Sequence, residues 1–336
     1  MKIIIPMAGV GKRMRPHTLT VPKPLIPVAG KPMVQKIIED LADVCGEGIE
    51  EVAFVIGRNF GSETEQKLVD IAIKLGAKGT ICYQDEPLGT AHAIMCAKDS
   101  LEGNVLVVFA DTLFKADFKL DRSKDGIIWV QKVEDPKQFG VVRVDEDNII
   151  TDFIEKPLQF ISDLAIIGIY YFKEGKILRD EIQFLLDNNI REKGEYQLTN
   201  ALENMKAKGY RFEVGKVREW LDCGNKNSTV HTNARILHFM YNAKETMVEA
   251  SITSKDSVII QPSYIGKNVK LLRSIVGPYA SVGDGTIIEN SVVGNCIIQT
   301  NSKITNAVID NSMIGNFVEY TGEAKDLSIG DYSTNQ

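Results

Sequence analysis

Over the first 220 or so positions, short continuous apolar runs alternate with stretches whose apolar residues recur at helical spacing. Lys2–Pro6 reads as a short apolar strand. Pro32 then suits a first helical turn, and Val34, Ile37, Ile38, Leu41 and Val44 follow at helical spacing. Residues 52–56 form an unbroken apolar run closed by Gly57, the pattern of a strand buried on both faces. Leu68, Ile71, Ala72 and Leu75 line one side of the next helix, which Gly76 ends. A helical stretch over 90–97 precedes another buried strand at 105–109. Such alternation predicts a mostly parallel sheet covered by helices. Beyond Gly126 the runs 127–133, 139–144, 149–155 and 165–172 read as strands, with 145–148 closing a hairpin. Helices are expected at 176–187 and 197–206, and 228–242 reads as a connecting helix.

From about Ser251 the texture changes. Charged residues thin out, helical periodicity vanishes, and Ile or Val followed by Gly recurs at 265–266, 276–277, 282–283, 293–294 and 314–315. With Ile287, Ile298, Ile304 and Ile309 between them, aliphatic residues return every five or six positions. That period marks a hexapeptide-repeat β-helix, in which an aliphatic side chain points inward once per short strand and each turn needs a small residue. A β-sandwich with Gly-rich turns is the alternative, but its strands would alternate at period two.

A chain of 336 residues exceeds one ordinary core and implies more than one domain. The expected division is 1–225 for the α/β domain, 226–250 for a helical linker and 251–336 for the β-helix. Net charge of −6 gives no general attraction to nucleic acid or to an anionic membrane, so any positive charge that holds an anionic substrate must be local. No run approaches the ~20 apolar residues of a membrane span. The run Ile3-Ile4-Ile5 stops at Pro6, short of a signal peptide, so a cytoplasmic protein is expected. The five cysteines are scattered without a C-x-x-C pair and read as reduced thiols rather than disulfides or zinc ligands.

Directly after the first strand stands Ala8-Gly9-Val10-Gly11-Lys12-Arg13-Met14-Arg15-Pro16. Glycines in that place let backbone N–H groups approach a phosphate chain. A dinucleotide fingerprint would need glycine at Met14, and a P-loop would need glycine at Pro6 with Ser or Thr at Arg13. What is left, G-x-G-x-R, could equally be a tight structural turn. Val21-Pro22-Lys23-Pro24-Leu25 then holds one lysine between two prolines, each restricting φ and the residue before it. A constrained cation about ten residues beyond an arginine-bearing glycine loop suits a triphosphate.

These segments resemble the sugar-1-phosphate nucleotidyltransferase family, whose opening motif reads roughly [LIV]-x-[AG]-G-x-G-x-R-[LM]-x-P followed by P-K-P. The departures are Pro6 for an aliphatic residue, Ala8 for a frequent glycine and Lys12 for a frequent threonine. Further matches are Tyr83-Gln84-Asp85-Glu86-Pro87-Leu88-Gly89-Thr90-Ala91, Val108-Phe109-Ala110-Asp111, Phe139-Gly140-Val141-Val142, Glu155-Lys156-Pro157, Gly194-Glu195-Tyr196-Gln197-Leu198-Thr199 and Trp220-Leu221-Asp222-Cys223-Gly224. They cover about residues 3–224 in the family's order. The resemblance is closest to glucose-1-phosphate thymidylyl- and uridylyltransferases that carry a C-terminal left-handed β-helix. It implies a Rossmann-like α/β domain, a nucleoside triphosphate and a sugar 1-phosphate as partners, and Mg²⁺ as cofactor.

In the implied reaction a sugar phosphate oxygen attacks the α-phosphorus in line and pyrophosphate leaves. The nucleophile is already an anion, so the enzyme's work is to gather two polyanions and neutralise charge. Arg13 then meets the departing phosphates, and Lys23 the α-phosphate or the sugar phosphate. Ala8, Gly9 and Gly11 line the triphosphate, while Gln84, Gly89 and Thr90 meet the base. Gln84 leans toward uracil or thymine, and Gly89 gives a base room against the backbone. Asp111 and Asp222 share the Mg²⁺, Glu155 accepts from sugar hydroxyls, Lys156 holds the sugar's phosphate, and Gly140 leaves room beside the sugar. His17 lies near the glycine loop and could touch phosphate or simply be a solvated loop residue. Two other readings remain: a non-catalytic scaffold of the same fold, and an enzyme whose β-helix adds acyl transfer. Acyl-transfer sites use a histidine base and none follows His238, whereas a scaffold should have lost Arg13, Lys23, Asp111 and Asp222. An assembly role is expected for the β-helix, giving a homo-oligomer.

Overall fold

The computed structural model describes residues 1–46, 48–323, 325 and 328–331. It divides into two compact units, residues 1–26 with 32–224 and residues 27–31 with 225–336. This differs from the expected division in two places. The helix Lys226–Asn242, expected as a separate helical linker, belongs to the second unit, and so does the short hairpin of Pro27–Val28 and Lys31–Pro32 up to Lys31. The reason is a buried amide. Asn233, on that helix, accepts from Ala29 N at 2.9 Å and from Ser281 Oγ at 2.7 Å, satisfying polar groups that burial would otherwise leave unpaired.

The first unit is built on a nine-stranded mixed sheet. Lys2–Pro6 pairs in parallel with Glu51–Ile56 on one side and Val105–Val108 on the other, and Lys78–Tyr83 extends the sheet beyond Glu51–Ile56. Every residue of Glu51–Ile56 is buried, as its unbroken apolar run requires, and Ile3, Ile4 and Ile5 are fully buried. Leu164–Phe172 then runs antiparallel to Val105–Val108 and joins the Gly140–Val144/Ile150–Glu155 hairpin and the Gly126–Lys132/Phe212–Lys216 pair to the sheet. Helices Met33–Cys45, Ser62–Lys74, Thr90–Met95, Gly175–Asp187 and Leu198–Ala207 cover it. Pro32 sits one place before the expected first helical turn, as the extended cap of Met33–Cys45.

Strand order turns back at Lys2–Pro6, because the chain goes outward through Glu51–Ile56 and Lys78–Tyr83 and returns to the opposite flank at Val105–Val108. In parallel α/β sheets such a reversal opens a crevice beyond the carboxyl ends of the two central strands. Here those ends lead into the glycine loop and toward Asp111. A strand pair not foreseen from the sequence, Thr112–Lys115 with Glu219–Asp222, completes this edge.

In the second unit three parallel sheets of short strands stack into the left-handed β-helix expected. Successive coils repeat every 16 or 17 residues, so Ile265, Val282, Ile298 and Ile314 stand in register, and Leu271, Ile288 and Ile304 do the same on the next side. These side chains form a core of their own. The turns depart from expectation. Asparagines at 268, 290, 295, 301, 306 and 311 hold left-handed corner positions, and of the repeated glycines only Gly277 does. Asparagine tolerates positive φ better than other residues with a side chain. Gly266 and Gly283 serve close packing instead, since a Cβ there would lie 2.3 Å from Asp284 and 2.8 Å from Thr300 N respectively.

Candidate active site

The glycine loop begins where Met7 N donates to Val55 O at 2.8 Å, its last tie to the sheet. Gly11 takes the left-handed conformation, φ 60°, and starts a single 3-10 turn, Lys12–Met14, whose Met14 is fully buried. A Cβ at Gly11 would press on Thr18 and on Lys23 Cβ at 3.0 and 3.1 Å, so this glycine serves both backbone shape and packing. Gly9 differs, because a Cβ there would meet nothing within 4 Å. Pro22 has φ −54°, within the range its ring allows, but Lys23, which Pro24 is expected to bias toward extended geometry, instead opens a short turn closed by Ile26 N donating to Lys23 O at 3.1 Å.

Lys23 Nζ donates to Asp111 Oδ2 at 2.7 Å. The lysine side chain is only 11% exposed whereas the carboxylate is 38% exposed, so the acid is the partner that faces the open crevice. Its Oδ1 has no hydrogen-bond partner among the described residues. The main chain at Asp111 is tied to the second acidic segment, with Cys223 N donating to Asp111 O at 3.1 Å and Thr112 standing opposite Asp222 in the strand pair. Asp222 Oδ1 accepts from Gly224 N at 2.9 Å. Gly224 also lies beside Arg13, since a Cβ there would stand 3.0 Å from both Asp222 oxygens and 3.3 Å from Arg13 Nη2. Strand pairing thus brings the main chains of two acidic residues 111 positions apart to one edge, where Asp111 lines the crevice and Asp222 does not, although Gly224 beside it does. Among the described residues no set of three or more His, Cys, Asp or Glu side chains gathers for a metal. A cation held here would take its remaining ligands from phosphate and water, and that mixed oxygen donor set suits a small hard divalent ion.

A cleft of about 430 Å³ is lined by Ala8, Gly9, Gly11, Arg13, Lys23 and Asp111 together with Gln84, Gly89 and Thr90. Lys12 and Glu195 line it as well. His17 is not among the lining residues, and burial lowers its pKa. The three sugar-side residues form a neighbouring cluster. Gly140 stands opposite Glu155 in the hairpin, where a Cβ would meet Glu155 Oε2 at 3.2 Å. Lys156 Nζ lies 3.3 Å from Glu155 Oε1. Lys193 Nζ donates to Lys156 O at 3.0 Å, a contact with no signal in the local sequence.

Two residues connect cleft and cluster. Trp220 sets its ring edge-on to Phe139 at 5.5 Å, one position before Gly140 and two before Asp222. Tyr196 N donates to Leu88 O at 2.8 Å and its carbonyl accepts from Ala91 N at 2.9 Å, so its backbone lies across the Gly89 turn. Glycine at 89 therefore has a physical reason besides the one expected. Its φ is 115°, and a Cβ would fall 2.5 Å from Tyr196 O, so the close neighbour is this chain's own backbone. Neither Tyr196 nor Glu195 was assigned a role from the sequence, although both stand in one of the resembling segments.

Fold and site together define an α/β protein with a crevice where a glycine loop, cationic side chains and an exposed acid meet at a switch point of a mostly parallel sheet. A family model described as "Nucleotidyl transferase" matches residues 2–238. The low-salt glycan biosynthesis nucleotidyltransferase Agl11 of Haloferax volcanii is 31% identical over 99% of both chains. The bifunctional protein GlmU of Methanocaldococcus jannaschii is 31% identical over 90% of this chain and 74% of its own. A glucose-1-phosphate thymidylyltransferase of Streptomyces antibioticus is 29% identical over 99% of this chain and 98% of its own. A solved UDP-glucose pyrophosphorylase superposes with a TM-score of 0.58 over 73% of this chain and 99% of its own, and at 24% identity this speaks to fold alone. The chain belongs to the nucleotidyl transferase family, and it is an enzyme of that class.

Proposed function

We propose that this protein transfers a nucleotidyl group from a pyrimidine nucleoside triphosphate, dTTP or UTP, to a hexose 1-phosphate, foremost glucose 1-phosphate, and releases pyrophosphate. The observation that carries this reading is the Lys23–Asp111 ion pair, set in the same cleft as Arg13 and the glycine loop. A chain of net charge −6 that concentrates Lys12, Arg13 and Lys23 on one crevice has built a local anion site. The name of the Streptomyces relative, a glucose-1-phosphate thymidylyltransferase, supports a sugar nucleotide as the product class.

A sugar phosphate oxygen attacks the α-phosphorus, the α–β anhydride bond breaks, and the electron pair leaves on pyrophosphate. Backbone N–H groups of the 8–11 loop and the Lys12 and Arg13 side chains take the charge that grows on the departing group. Lys23, held between prolines, steadies the α-phosphate or the incoming sugar phosphate without having to reorganise. Glu155 accepts from sugar hydroxyls, Lys156 meets the sugar's phosphate, and Gln84 with Gly89 and Thr90 forms the base end. Asp111 and Asp222 are the residues that would hold Mg²⁺. When bound, that ion would orient the triphosphate and offset its charge. The β-helix serves assembly into a homo-oligomer, and the reaction belongs in the cytoplasm.

Pyrophosphate release tests the proposal, with each of the four common ribonucleoside triphosphates and dTTP offered against glucose, galactose and N-acetylglucosamine 1-phosphates in Mg²⁺. Turnover is expected with UTP or dTTP and glucose 1-phosphate. A folded protein that releases pyrophosphate from no combination would overturn it.

A further inference from the structure

Gln84 leaves the end of strand Lys78–Tyr83 with its backbone N–H tied to Ile56 O at 2.9 Å, so the root of its side chain is fixed at the cleft wall. Its amide nitrogen has two neighbours, Gly89 O at 3.3 Å and His92 Nδ1 at 3.1 Å. A carbonyl oxygen can only accept, so Gly89 O requires the –NH₂ end of the amide on that side. His92 Nδ1 takes the second hydrogen if its ring is neutral and protonated on Nε2. Burial lowers the His92 pKa, outweighing the opposite pulls of the nearby Glu86 charge and of a hydrogen bond from the ring to the Glu86 backbone, which favours the neutral ring. With both amide hydrogens engaged, the atom left over is Oε1, which has no hydrogen-bond partner among the described residues.

We propose that His92 is a specificity-determining residue: by locking the Gln84 amide it leaves a hydrogen-bond acceptor at the base end of the cleft, and so selects nucleobases that present a ring N–H. Uracil and thymine offer N3–H to that oxygen. Cytosine presents an N3 lone pair at the same place, and two acceptors facing each other cannot bond. His92 does not itself line the cleft; it acts through Gln84 and is a positioning residue. The inference rests on the reading of Gln84 as the base-facing residue, and it adds the group that fixes its sense.

The test is the ratio of kcat/KM for UTP over CTP with glucose 1-phosphate and Mg²⁺, in the full chain and in two variants. His92→Phe keeps a ring and removes the acceptor; His92→Gln keeps an acceptor within reach. A mismatched polar contact costs roughly a 10–100-fold preference, so His92→Phe is expected to lower the ratio by about that factor. The change should appear as a fall in KM for CTP with kcat for UTP kept within a few-fold, and His92→Gln should restore the ratio. An unchanged ratio in a folded, active His92→Phe overturns the inference and leaves the proposed function standing, whereas an unmodified protein inactive with every triphosphate sinks that function first. The unmodified protein gives a second readout. Nitrogen-15 NMR should find the His92 ring protonated on Nε2 with Nδ1 bare, and a proton on Nδ1 would overturn the inference even if His92→Phe did not fold.

Discussion

Two glycine-to-alanine substitutions separate what this fold needs from what the chemistry needs. At Gly89 a Cβ would lie 2.5 Å from Tyr196 O and 2.7 Å from Tyr196 N, against a backbone that cannot swing aside like a side chain. To reach an ordinary 3.4 Å contact the two segments must part by about 0.9 Å. That displacement breaks the Tyr196 N to Leu88 O and Ala91 N to Tyr196 O hydrogen bonds, now 2.8 and 2.9 Å long. Two lost bonds at about 1 kcal/mol each, with ~1–3 kcal/mol of strain for alanine at φ 115°, give a destabilisation of about 3–5 kcal/mol. For a unit of this size the melting temperature should fall by about 10 °C. Gly9→Ala meets nothing within 4 Å and should melt with the parent. If a triphosphate runs against the loop, however, the new methyl group stands in its path and kcat/KM should drop by roughly 10²-fold or more. Differential scanning calorimetry and pyrophosphate release on the same samples decide both. A Gly89→Ala protein melting within a degree of the parent would refute the packing argument, and a fully active Gly9→Ala would remove the case for a phosphate at that loop.

Neutralising either proposed metal carboxylate, Asp111→Asn or Asp222→Asn, should lower kcat by roughly 10²–10³-fold and weaken Mg²⁺ activation with little change in melting temperature; wild-type turnover in either variant would count against a shared cation. Lys23→Met should cost a similar factor while leaving the protein folded, since Asp111 is exposed enough to be solvated alone; unimpaired pyrophosphate release would exclude Lys23 from charge stabilisation. On the β-helix, Val258, Ile275, Val292 and Val308 stand in register and all are exposed, a ladder of branched aliphatic side chains open to a second copy of the chain. Val292→Glu should therefore reduce the mass measured by light scattering while preserving turnover, and an unchanged oligomer mass would place the assembly face elsewhere.

What could be read in the sequence was what depends on near neighbours. Continuous apolar runs at 3–5 and 52–56 gave buried parallel strands because their burial on both faces leaves no alternation to misread. The β-helix was legible because its coils repeat the same local pattern, although asparagine holds more of the left-handed corners than glycine does. Phe212–Lys216 and the pair Thr112–Lys115 with Glu219–Asp222 were not foreseen, since these short strands are placed by partners far away in the chain. The hairpin at 27–31 is likewise held by Asn233, more than two hundred positions on.

The candidate site divides in the same way, and the division explains why some of its residues were legible and others silent. Arg13 and Lys23 stand in segments whose glycines and prolines shape the local backbone, so a charged group there carries a conformational mark in the sequence itself. His92 and Tyr196 carry no such mark. One is a histidine on a short helix and the other a tyrosine before one, and their importance lies entirely in what they touch: a glutamine amide, and the backbone of a glycine turn 107 positions earlier. Residues that meet substrate can be read from type and local constraint, while residues that orient them are defined by tertiary contact. The sense of the Gln84 amide belongs to the second kind, because a glutamine offers a donor and an acceptor alike until a neighbour takes one of them away.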